Sequence, residues 1–330
     1  MLQVKPLDLS LADVQKALPS ACYMPENVIY QQSYMHGWKF EDCSFALHDG
    51  EAFIAGCCMT TGTGPQGQQA LSAYGLPAVW IQSQNIHPEY LNEVQNIAKK
   101  KITPLLEGFR AVDVLFEEHL SSQMGLSPVA TLLLDAGLAP VNTYSATIPL
   151  EWSETTLWAH IRKRYKPFIN KGKREFTFRK IDSNTITTDD IEAFRSLHIH
   201  VSGRETRSHD SWLRQFDVVK ADNGFMIFIY LAEELVGASY FITCPKRCYY
   251  GVGAYKRELF DRPLAHAALW QAILEAKERG CKFFDMGRWY TSTEDVSEKE
   301  RAIGKFKRGF GGIAMVSLVF SQTVGDGVTT

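Results

Sequence analysis

The sequence predicts an α/β (α+β) protein with mixed, partly antiparallel sheets flanked by helices. Two observations lead to this class. Short runs rich in β-branched and aromatic residues alternate with segments of helical spacing. Glycine, proline and capping residues separate these segments. At 330 residues the chain is long enough for two domains, and we divide it into 1–150 and 151–330.

The first half is predicted to begin with a helix near Ser10–Leu18 and a hairpin of Ser44–Leu47 and Ala52–Met59. The glycine-rich segment Thr60–Gln69 is expected to be a loop, and it lacks the lysine of a P-loop. No group of residues in this half indicates chemistry, so we expect a structural, substrate-framing role. Its remaining predicted elements are strand Ala78–Gln82, helix Pro88–Lys101, strand Ala111–Phe116, helix Pro128–Ala136 and strand Thr143–Ile148.

The second half is predicted to open with a helix capped by Ser153. Apolar residues recur every four positions from Leu157 to Ile169, which indicates one buried face. We expect Pro167 to break or kink this helix and Gly172 to end it. The next predicted elements are strand Phe176–Ile181, helix Asp189–Val201, and strands Phe225–Ala232, Leu235–Thr243 and Arg247–Ala254.

Positive charge is concentrated at the start of the second half. Residues 1–150 hold 7 Lys and Arg against 14 Asp and Glu, whereas 161–180 hold nine basic residues and one Glu. Such a run is a solvated helix face or a platform for a polyanion, such as a nucleotide diphosphate or tRNA, with Arg162 and Arg164 as contacts. The net charge of −2 disfavours nucleic-acid binding as the main role, so no DNA partner is expected.

Two further segments are candidate anion sites. Arg204 and Arg207 lie beside Gly203, and guanidinium groups bind phosphate or carboxylate bidentately. The alternative is a solvated loop. Farther along, Asp261 is expected to cap a helix with Pro263 in its first turn. Free N–H groups at that helix start, with Arg262 nearby, would attract an anion.

The stretch from Cys281 to Gly312 combines a strand, a loop and a helix. Asp285 follows the apolar strand, and Arg288 and Tyr290 lie in the loop. Ser297 and Glu300 form a capping box for the helix that bears Lys307. This arrangement is typical of a transferase site. The alternative is an ordinary connection with a solvated basic helix.

Several motifs together resemble the FemAB-like branch of the GNAT (GCN5-related N-acyltransferase) superfamily, in which two such domains are fused. The first half is similar only in its order of elements and in QQSYMHGW at 31–38. The matching pieces of the second half are RKRYKPFINKGKR at 162–174, GRETRS at 203–208, YYGVGAY at 249–255, LFDRPLAHAALWQAILEAKERG at 259–280, and FFDMG with KFKRGFGG.

The resemblance implies two GNAT-like domains, with the second catalytic. It implies transfer of an acyl or aminoacyl group to an amine without a metal or tightly bound cofactor. The donor would be acyl-CoA or aminoacyl-tRNA. The acceptor would be a small molecule or sugar nucleotide among cell-wall or surface-polysaccharide precursors. Where many acetyl-CoA-dependent relatives carry Q/R-x-x-G-x-G/A, this chain has Arg262-Pro-Leu-Ala-His-Ala, which leaves the donor open.

The resemblance also implies roles for single residues. Lys307 matches the lysine of the FemAB Phe-Lys motif, which stabilises charge on the transferred group. We expect Asp285 to act as base with Tyr290 or His266 as proton relay, and exposed N–H groups near Gly251 to polarise the carbonyl. His266 as a core histidine, and Asp285 as a loop cap, are the alternatives. The expected substrate-binding residues are Arg204, Arg207, Tyr250, Gly251, Arg262, Arg288, Arg162 and Arg164.

Composition suggests a cytoplasmic address. Seven cysteines without a CxxC pair are typical of reduced thiols, no apolar run reaches the ~18 residues of a membrane span, and the N-terminus lacks signal-peptide features. A different function remains open: a catalytically inactive GNAT-fold protein that binds a sugar nucleotide or polysaccharide.

Overall fold

A computed structural model describes residues 1–83, 86–107, 112–120 and 125–323. The strands in these ranges are β1 (Gln3–Lys5), β2 (Lys39–Asp42), β3 (Phe45–Asp49), β4 (Ala52–Cys58), β5 (Thr60–Thr63), β6 (Gln69–Ser72), β7 (Ala78–Gln82), β8 (Asp113–His119), β9 (Val141–Pro149), β10 (Thr177–Ile181), β11 (Gly224–Leu231), β12 (Glu234–Cys244), β13 (Arg247–Tyr255), β14 (Phe283–Arg288) and β15 (Ile313–Gln322). The α-helices are α1 (Ala12–Ala17), α2 (Pro25–Gln32), α3 (Leu91–Leu106), α4 (Pro128–Asp135), α5 (Glu154–His160), α6 (Tyr165–Glu175), α7 (Thr188–Ser202), α8 (His209–Lys220), α9 (Leu264–Glu278) and α10 (Glu298–Lys307). Over the same ranges, no helix combines the length and the apolar character that crossing a lipid bilayer requires.

The chain forms two compact units. The first contains Met1–Pro19, Gln31–Thr143 and the chain from Val316 onward, and the second contains Ser20–Tyr30 and Tyr144–Met315. Each unit has a mixed sheet flanked by helices, so the predicted fold class is confirmed. The two units are not divided by a single cut at residue 150, because Ser20–Tyr30 belongs to the second unit and the chain from Val316 belongs to the first. The assignment of 1–150 and 151–330 as GNAT-like domains stays a prediction.

The first unit is built on a mostly antiparallel sheet with two parallel pairs, β6–β8 and β7–β8. Strands β3, β4 and β7 are antiparallel neighbours, β7 runs parallel to β8, and β8 pairs antiparallel with β15. Helix α3 buries Val94, Ala98 and Ile102 in the same cluster as Phe116. The loop predicted at 60–69 is wrong, because β5 and β6 pair there as a hairpin.

The second unit has the sheet order β9-β14-β13-β12-β11-β10. Only β13 and β14 are parallel neighbours, and the other adjacent pairs are antiparallel. Helix α9 packs on β11, β12 and β13. The core of this unit contains Phe225, Phe241, Phe284 and Trp270, which are almost fully buried. Burial of such large apolar side chains is the main stabilising term of the fold.

The helix predicted from Ser153 to Gly172 is two helices. Ser153 caps α5 as predicted, since its side chain accepts the Thr156 N–H. The break falls at residues 161–164, ahead of Pro167, which lies in the first turn of α6 where proline is tolerated. Gly172 does not end the helix. It is buried inside α6, where an added Cβ would lie 2.9 Å from Ala267 Cβ of α9, so glycine permits the close approach of the two helices.

The predicted N-terminal cap is wrong for α9 and is confirmed for α10. Asp261 does not cap α9, because Pro263 occupies the cap position and contributes no side-chain hydrogen bond. The capping box of α10 is confirmed: Ser297 accepts the Glu300 N–H, and the Glu300 carboxylate accepts the Ser297 N–H.

Candidate active site

The two central strands of the second unit, β13 and β14, separate after three paired residues. The parallel ladder joins Arg247–Tyr249 to Phe283–Asp285 and is recorded no further in the described part of the chain. A bulge follows in each strand. The register of β13 against β12 skips Gly251, and the register of β14 against β9 shifts between Asp285 and Arg288.

A bulge bends its strand and leaves backbone groups without ladder partners. The two strands therefore diverge beyond Tyr249 and Asp285, and we call the space between them the strand gap. Glycine inside a strand often marks a bulge, and Gly251 is the residue that the register skips. The bulge makes backbone N–H groups beside Gly251 candidates for donors that polarise a carbonyl.

Lys307 places its amine between the two diverging strands. It is the last residue of α10 and is half-buried. Its Nζ lies 4.8 Å from the centroid of the Tyr250 ring of β13, which is cation–π geometry. A Cβ added to Gly287 of β14 would lie 3.2 Å from the same Nζ. Gly287 has φ 87°, a backbone conformation that other residues rarely adopt, so the amine rests against a position that suits glycine.

The charge of Lys307 is costly at this position. Burial lowers the pKa of its ammonium to about 8, while the Asp285 carboxylate opposes that shift. Lys307 therefore remains mostly protonated near neutral pH, and its positive charge is poorly solvated. A poorly solvated cation of this kind stabilises negative charge on a neighbouring group more strongly than a solvated one.

Asp285 lies at the inner end of the strand gap. Its Oδ1 accepts the Gly287 N–H at 2.7 Å, so the carboxylate closes the bulge of β14 as the loop-cap alternative expected. The same carboxylate interacts electrostatically with Lys307. The loop-cap role and the proposed base role of Asp285 are therefore compatible, because one carboxylate can accept the Gly287 N–H and also interact with the Lys307 ammonium.

An aromatic cluster fixes the helix that carries Lys307. The Tyr165 hydroxyl donates to the Phe306 carbonyl at 3.3 Å, and the rings of Phe306 and Phe310 lie 5.7 and 5.5 Å from that of Tyr165. An added Cβ at Gly309 would lie 2.1 Å from the Tyr165 ring. The end of α10 therefore packs directly on the start of α6, and this packing sets the direction of Lys307.

Comparisons with known proteins agree with this geometry. Residues 159–300 match the family model described as an acetyltransferase (GNAT) domain. The solved structure of FemX is similar over 97% of this chain and 97% of its own, with 11% identity and a TM-score of 0.73. The chain has a FemAB-like GNAT fold.

Two further solved structures share this fold more loosely. The C-terminal domain of a putative lysylphosphatidylglycerol synthetase from Agrobacterium fabrum covers 95% of this chain and 92% of its own, at 12% identity and a TM-score of 0.55. L-PGS from Bacillus licheniformis covers 89% of this chain and 86% of its own, at 12% identity and a TM-score of 0.54. A comparison with curated protein sequences gives no match.

Within the FemAB-like fold, His266 belongs to the aromatic cluster. Its ring centroid lies 4.7 Å from Tyr165, 5.1 Å from Phe168 and 5.1 Å from Phe306. Burial, and then the charge of Arg164, lowers the pKa of the imidazole to about 4. A conjugate acid this strong makes His266 a weak base, so the geometry favours the core-histidine alternative. The relay role stays a prediction.

Tyr290 lies in the loop between β14 and α10, whereas Arg288, predicted in that loop, is the last residue of β14. The Arg288 guanidinium donates to Glu294 Oε2 at 3.0 Å and lies 5.7 Å from the Tyr290 ring. Glu294 also accepts the Thr291 N–H, and Arg301 donates to two carbonyls of the same loop. The charge of Arg288 is thus paired within the protein, and its predicted substrate contact remains untested.

The basic run joins the aromatic cluster through two arginines. The guanidinium groups of Arg162 and Arg164 lie 5.3 and 5.7 Å from the centroid of the Tyr165 ring. The backbone N–H of Arg162 donates to the Gly309 carbonyl. The structure therefore brings Arg162, Arg164 and the Lys307 helix together around one tyrosine. The sequence placed these segments about 140 residues apart without indicating that contact.

Arg204 and Arg207, which were predicted to bind an anionic group together, differ in their surroundings. Arg207 is half-buried and donates to the Tyr30 hydroxyl at 3.3 Å, with its guanidinium 5.7 Å from the Trp212 ring. Arg204 is exposed and follows Gly203, which ends α7 in the left-handed conformation. Only Arg204 presents an exposed guanidinium, and its role toward an anion stays a prediction.

The start of α9 is less open than the sequence suggested. The N–H groups of Arg262 and Leu264 donate to the carbonyls of Leu259 and Arg262 within the preceding turn. The close contact of Gly172 with Pro263 O and Ala267 brings α6 against the same turn. Two amides that could have bound an anion are therefore already used.

Sequence reasoning missed Tyr249, which pairs with Asp285 in the last step of the parallel ladder. Burial raises the pKa of its phenol, and the nearby groups that add to the shift are Cys22, Asp285, Tyr30 and Tyr290. Two of these come from Ser20–Tyr30, the early segment that belongs to the second unit. No local pattern could have indicated that contribution.

Within the described ranges, no group of three or more His, Cys, Asp or Glu side chains converges as a metal site would require. All seven cysteines are free thiols.

Proposed function

We propose that this chain transfers an acyl or aminoacyl group from an activated carbonyl donor to an amine in the strand gap. The observation that carries the proposal is the half-buried Lys307 amine, held between Tyr250 of β13 and Gly287 of β14. A cation with a lowered pKa at the divergence of two strands is positioned to stabilise charge that develops on a reacting carbonyl.

The proposed reaction begins with attack of the acceptor amine on the donor carbonyl. Backbone N–H groups beside Gly251 polarise the carbonyl, and Lys307 stabilises the oxyanion of the tetrahedral intermediate. The attacking nitrogen must lose a proton, and Asp285 at the inner end of the strand gap is the proposed acceptor. Collapse of the intermediate forms the amide and releases the donor's thiol or hydroxyl, which takes up a proton.

For the donor we favour aminoacyl-tRNA over acyl-CoA. The turn before α9 lacks the glycines of the acetyl-CoA-dependent relatives, and its amides at Arg262 and Leu264 are used internally. By contrast, the basic run reaches the Lys307 helix through Arg162 and Arg164 at the Tyr165 ring. A polyanionic donor suits this distribution of charge better than a single pyrophosphate.

For the acceptor we propose an amine on a cell-envelope polysaccharide or peptidoglycan precursor. The support is the resemblance to the FemAB-like branch together with the fold shared with FemX and with a putative lysylphosphatidylglycerol synthetase domain. Exposed Arg204 is the side chain we assign to an anionic group of that acceptor.

A pair of alanine variants tests the proposal. We expect Lys307→Ala to fold, to bind donor and acceptor, and to lose roughly 10²–10³ in kcat, by analogy with loss of an oxyanion donor. Lys305→Ala is the matched control, since Lys305 is exposed on the same helix. The assay uses radiolabelled aminoacyl-tRNA or acetyl-CoA with sugar-nucleotide-linked peptides. Similar turnover in both variants would show that Lys307 is not catalytic.

The transfer assay, combined with calorimetric titration, distinguishes an acyltransferase from a binding protein. An acyltransferase binds a donor as well as an acceptor, and calorimetric titration measures both. If the wild-type protein binds a sugar nucleotide but transfers nothing from either donor class, the alternative of an inactive binding protein is favoured.

A further inference from the structure

We propose that Tyr250 is the positioning residue of Lys307, because its ring holds the amine beside Gly287 while its buried hydroxyl holds the ring. The sequence had assigned Tyr250 to substrate binding. Its side chain is instead 8% exposed and uses its hydroxyl within the protein. The expected change in kcat rests on the proposed function, whereas the expected change in the Lys307 pKa does not.

The faces of the Tyr250 ring contact Phe241 and Lys307. It stacks with Phe241 at 5.3 Å between centroids and 25° between planes, and Lys307 Nζ lies 4.8 Å from its centroid. An aromatic ring attracts a cation through its quadrupole, and the attraction grows where water is excluded. The ring therefore offsets part of the desolvation that makes the ammonium costly.

The hydroxyl of Tyr250 is the end of a short buried chain. It lies 3.1 Å from the Tyr255 hydroxyl, which lies 2.6 Å from the Ser239 hydroxyl. Burial raises the pKa of both phenols, so both remain neutral at physiological pH. A change of the Tyr250 χ1 angle that moves the ring away from Lys307 would also take its hydroxyl out of this chain inside the protein, at a cost that keeps the ring in place.

Gly253 gives the Tyr250 hydroxyl its space. A Cβ added to Gly253 would lie 2.1 Å from that oxygen and 3.1 Å from the ring carbon that bears it. No other side chain fits here unless Tyr250 moves. Gly253 is itself exposed, and an added Cβ would also lie 3.0 Å from the Tyr255 ring, so a substitution there acts on Lys307 through the Tyr250 and Tyr255 side chains.

Among the described residues, Asp285 is the charged group that acts with burial on the Lys307 pKa. It faces the amine from β14 and favours its charged form. From α6, Tyr165 contacts the neighbouring Phe306, with Arg162 and Arg164 at the Tyr165 ring. A change at Tyr250 leaves all of these groups in place.

The test measures the pKa of Lys307 without using its activity. Competitive labelling with acetic anhydride across pH, read by mass spectrometry of the Lys307 peptide, gives the titration of this amine. Exposed Lys305 serves as the internal reference. We expect Tyr250→Leu to lower the Lys307 pKa and to reduce kcat about 10-fold, with KM little changed. Tyr250→Phe keeps the ring but loses the hydroxyl that anchors it, so its Lys307 pKa and kcat should fall between those of the wild type and Tyr250→Leu.

A second pair of variants covers the case in which Tyr250→Leu does not fold. Gly253→Ala forces the Tyr250 hydroxyl to move, so the Lys307 titration should shift toward that of Tyr250→Leu. Adding Tyr250→Phe to Gly253→Ala removes the 2.1 Å clash, and the titration should return toward the wild type. An unchanged titration in the folded variants would overturn the positioning role, whereas loss of turnover in Lys307→Ala tests the proposed function separately.

Discussion

At the scale of single residues, Lys307 shows how one side chain can be read in two ways. A lysine on a solvated helix face keeps its amine in water. Here the Nζ rests against Gly287 and the Tyr250 ring, and its pKa is lowered to about 8. The Lys307 amine therefore does not lie in bulk water, as the solvated-helix alternative required. Whether it is catalytic is decided by the kcat of Lys307→Ala.

The lowered pKa has a consequence for stability. Between pH 8 and 10.5 the unfolded chain binds a proton at Lys307 that the folded chain does not, so folding becomes more favourable as pH rises. Lys307→Met lacks this term. We expect its Tm to equal or exceed that of the wild type at pH 7, and this advantage to shrink as pH approaches 10.

Calorimetric melting of both proteins at half-unit pH steps measures the effect. Lys305→Met controls for loss of a lysine from the same helix. A Tm difference that stays constant from pH 7 to 10 would show that the Lys307 ammonium is not destabilised by burial.

The sequence indicated which residues lie at the strand gap better than it indicated which residues contact one another. Asp285, Gly251 and Lys307 were selected from the sequence, and the structure places all three at the strand gap. Arg207 was assigned to a ligand, yet its guanidinium bonds to Tyr30. That partner lies 177 residues earlier in the chain. Spacing along a chain carries no information about such a contact.

At the scale of elements, local patterns predicted most helices and strands of the second unit. The three predicted strands from Phe225 to Ala254 agree with β11, β12 and β13 to within a residue or two. The prediction was wrong where tertiary packing overrode a local rule. Gly172 has the composition of a helix end, but it serves as the contact point between α6 and α9.

That contact predicts a strong effect of a single substitution. Gly172→Val adds a branched side chain where even a Cβ would lie 2.9 Å from Ala267 Cβ and 3.1 Å from the Pro263 carbonyl oxygen. We expect a loss of about 1–3 kcal/mol in the free energy of unfolding, as is usual for overpacking. Chemical denaturation measures it.

Asn170→Val is the matched control, because Asn170 is exposed in the same helix and receives the same β-branched side chain. Its change should stay within about 0.5 kcal/mol. Equal losses in the two variants would mean that helix propensity, and not the contact with α9, determines the cost.

At the scale of the whole molecule, a chain with net charge −2 carries nine of its basic residues between 161 and 180. Most of these side chains are exposed, and two of the nine, Arg162 and Arg164, lie at the Tyr165 ring. Lys171, Arg179 and Lys180 are paired with carboxylates. The sequence located this run, but it could not show that the run lies beside the helix of Lys307. That link follows only from the folded contacts of Tyr165 with Phe306 and Gly309.

The placement of this charge predicts how donor binding depends on salt. If tRNA binds along the run, each lost phosphate contact should lower the slope of log K against log salt by roughly 0.7–0.9. Replacing Arg162, Lys163 and Arg164 with Gln should therefore reduce the slope by up to about 2–3 and weaken binding at low salt. Thermal stability should change little. Filter binding of aminoacyl-tRNA from about 50 to 200 mM salt measures the slope.

The control removes the same charge elsewhere. Lys99, Lys100 and Lys101 are exposed on α3 of the first unit, and their replacement with Gln changes the net charge equally. If both triple variants reduce the slope alike, the whole molecule's charge controls binding and the run has no special part. If neither does, the run is a solvated surface. A reduction confined to the variant at 162–164 would support a polyanionic donor beside Lys307, because only that run adjoins the helix end on which transfer is proposed to depend.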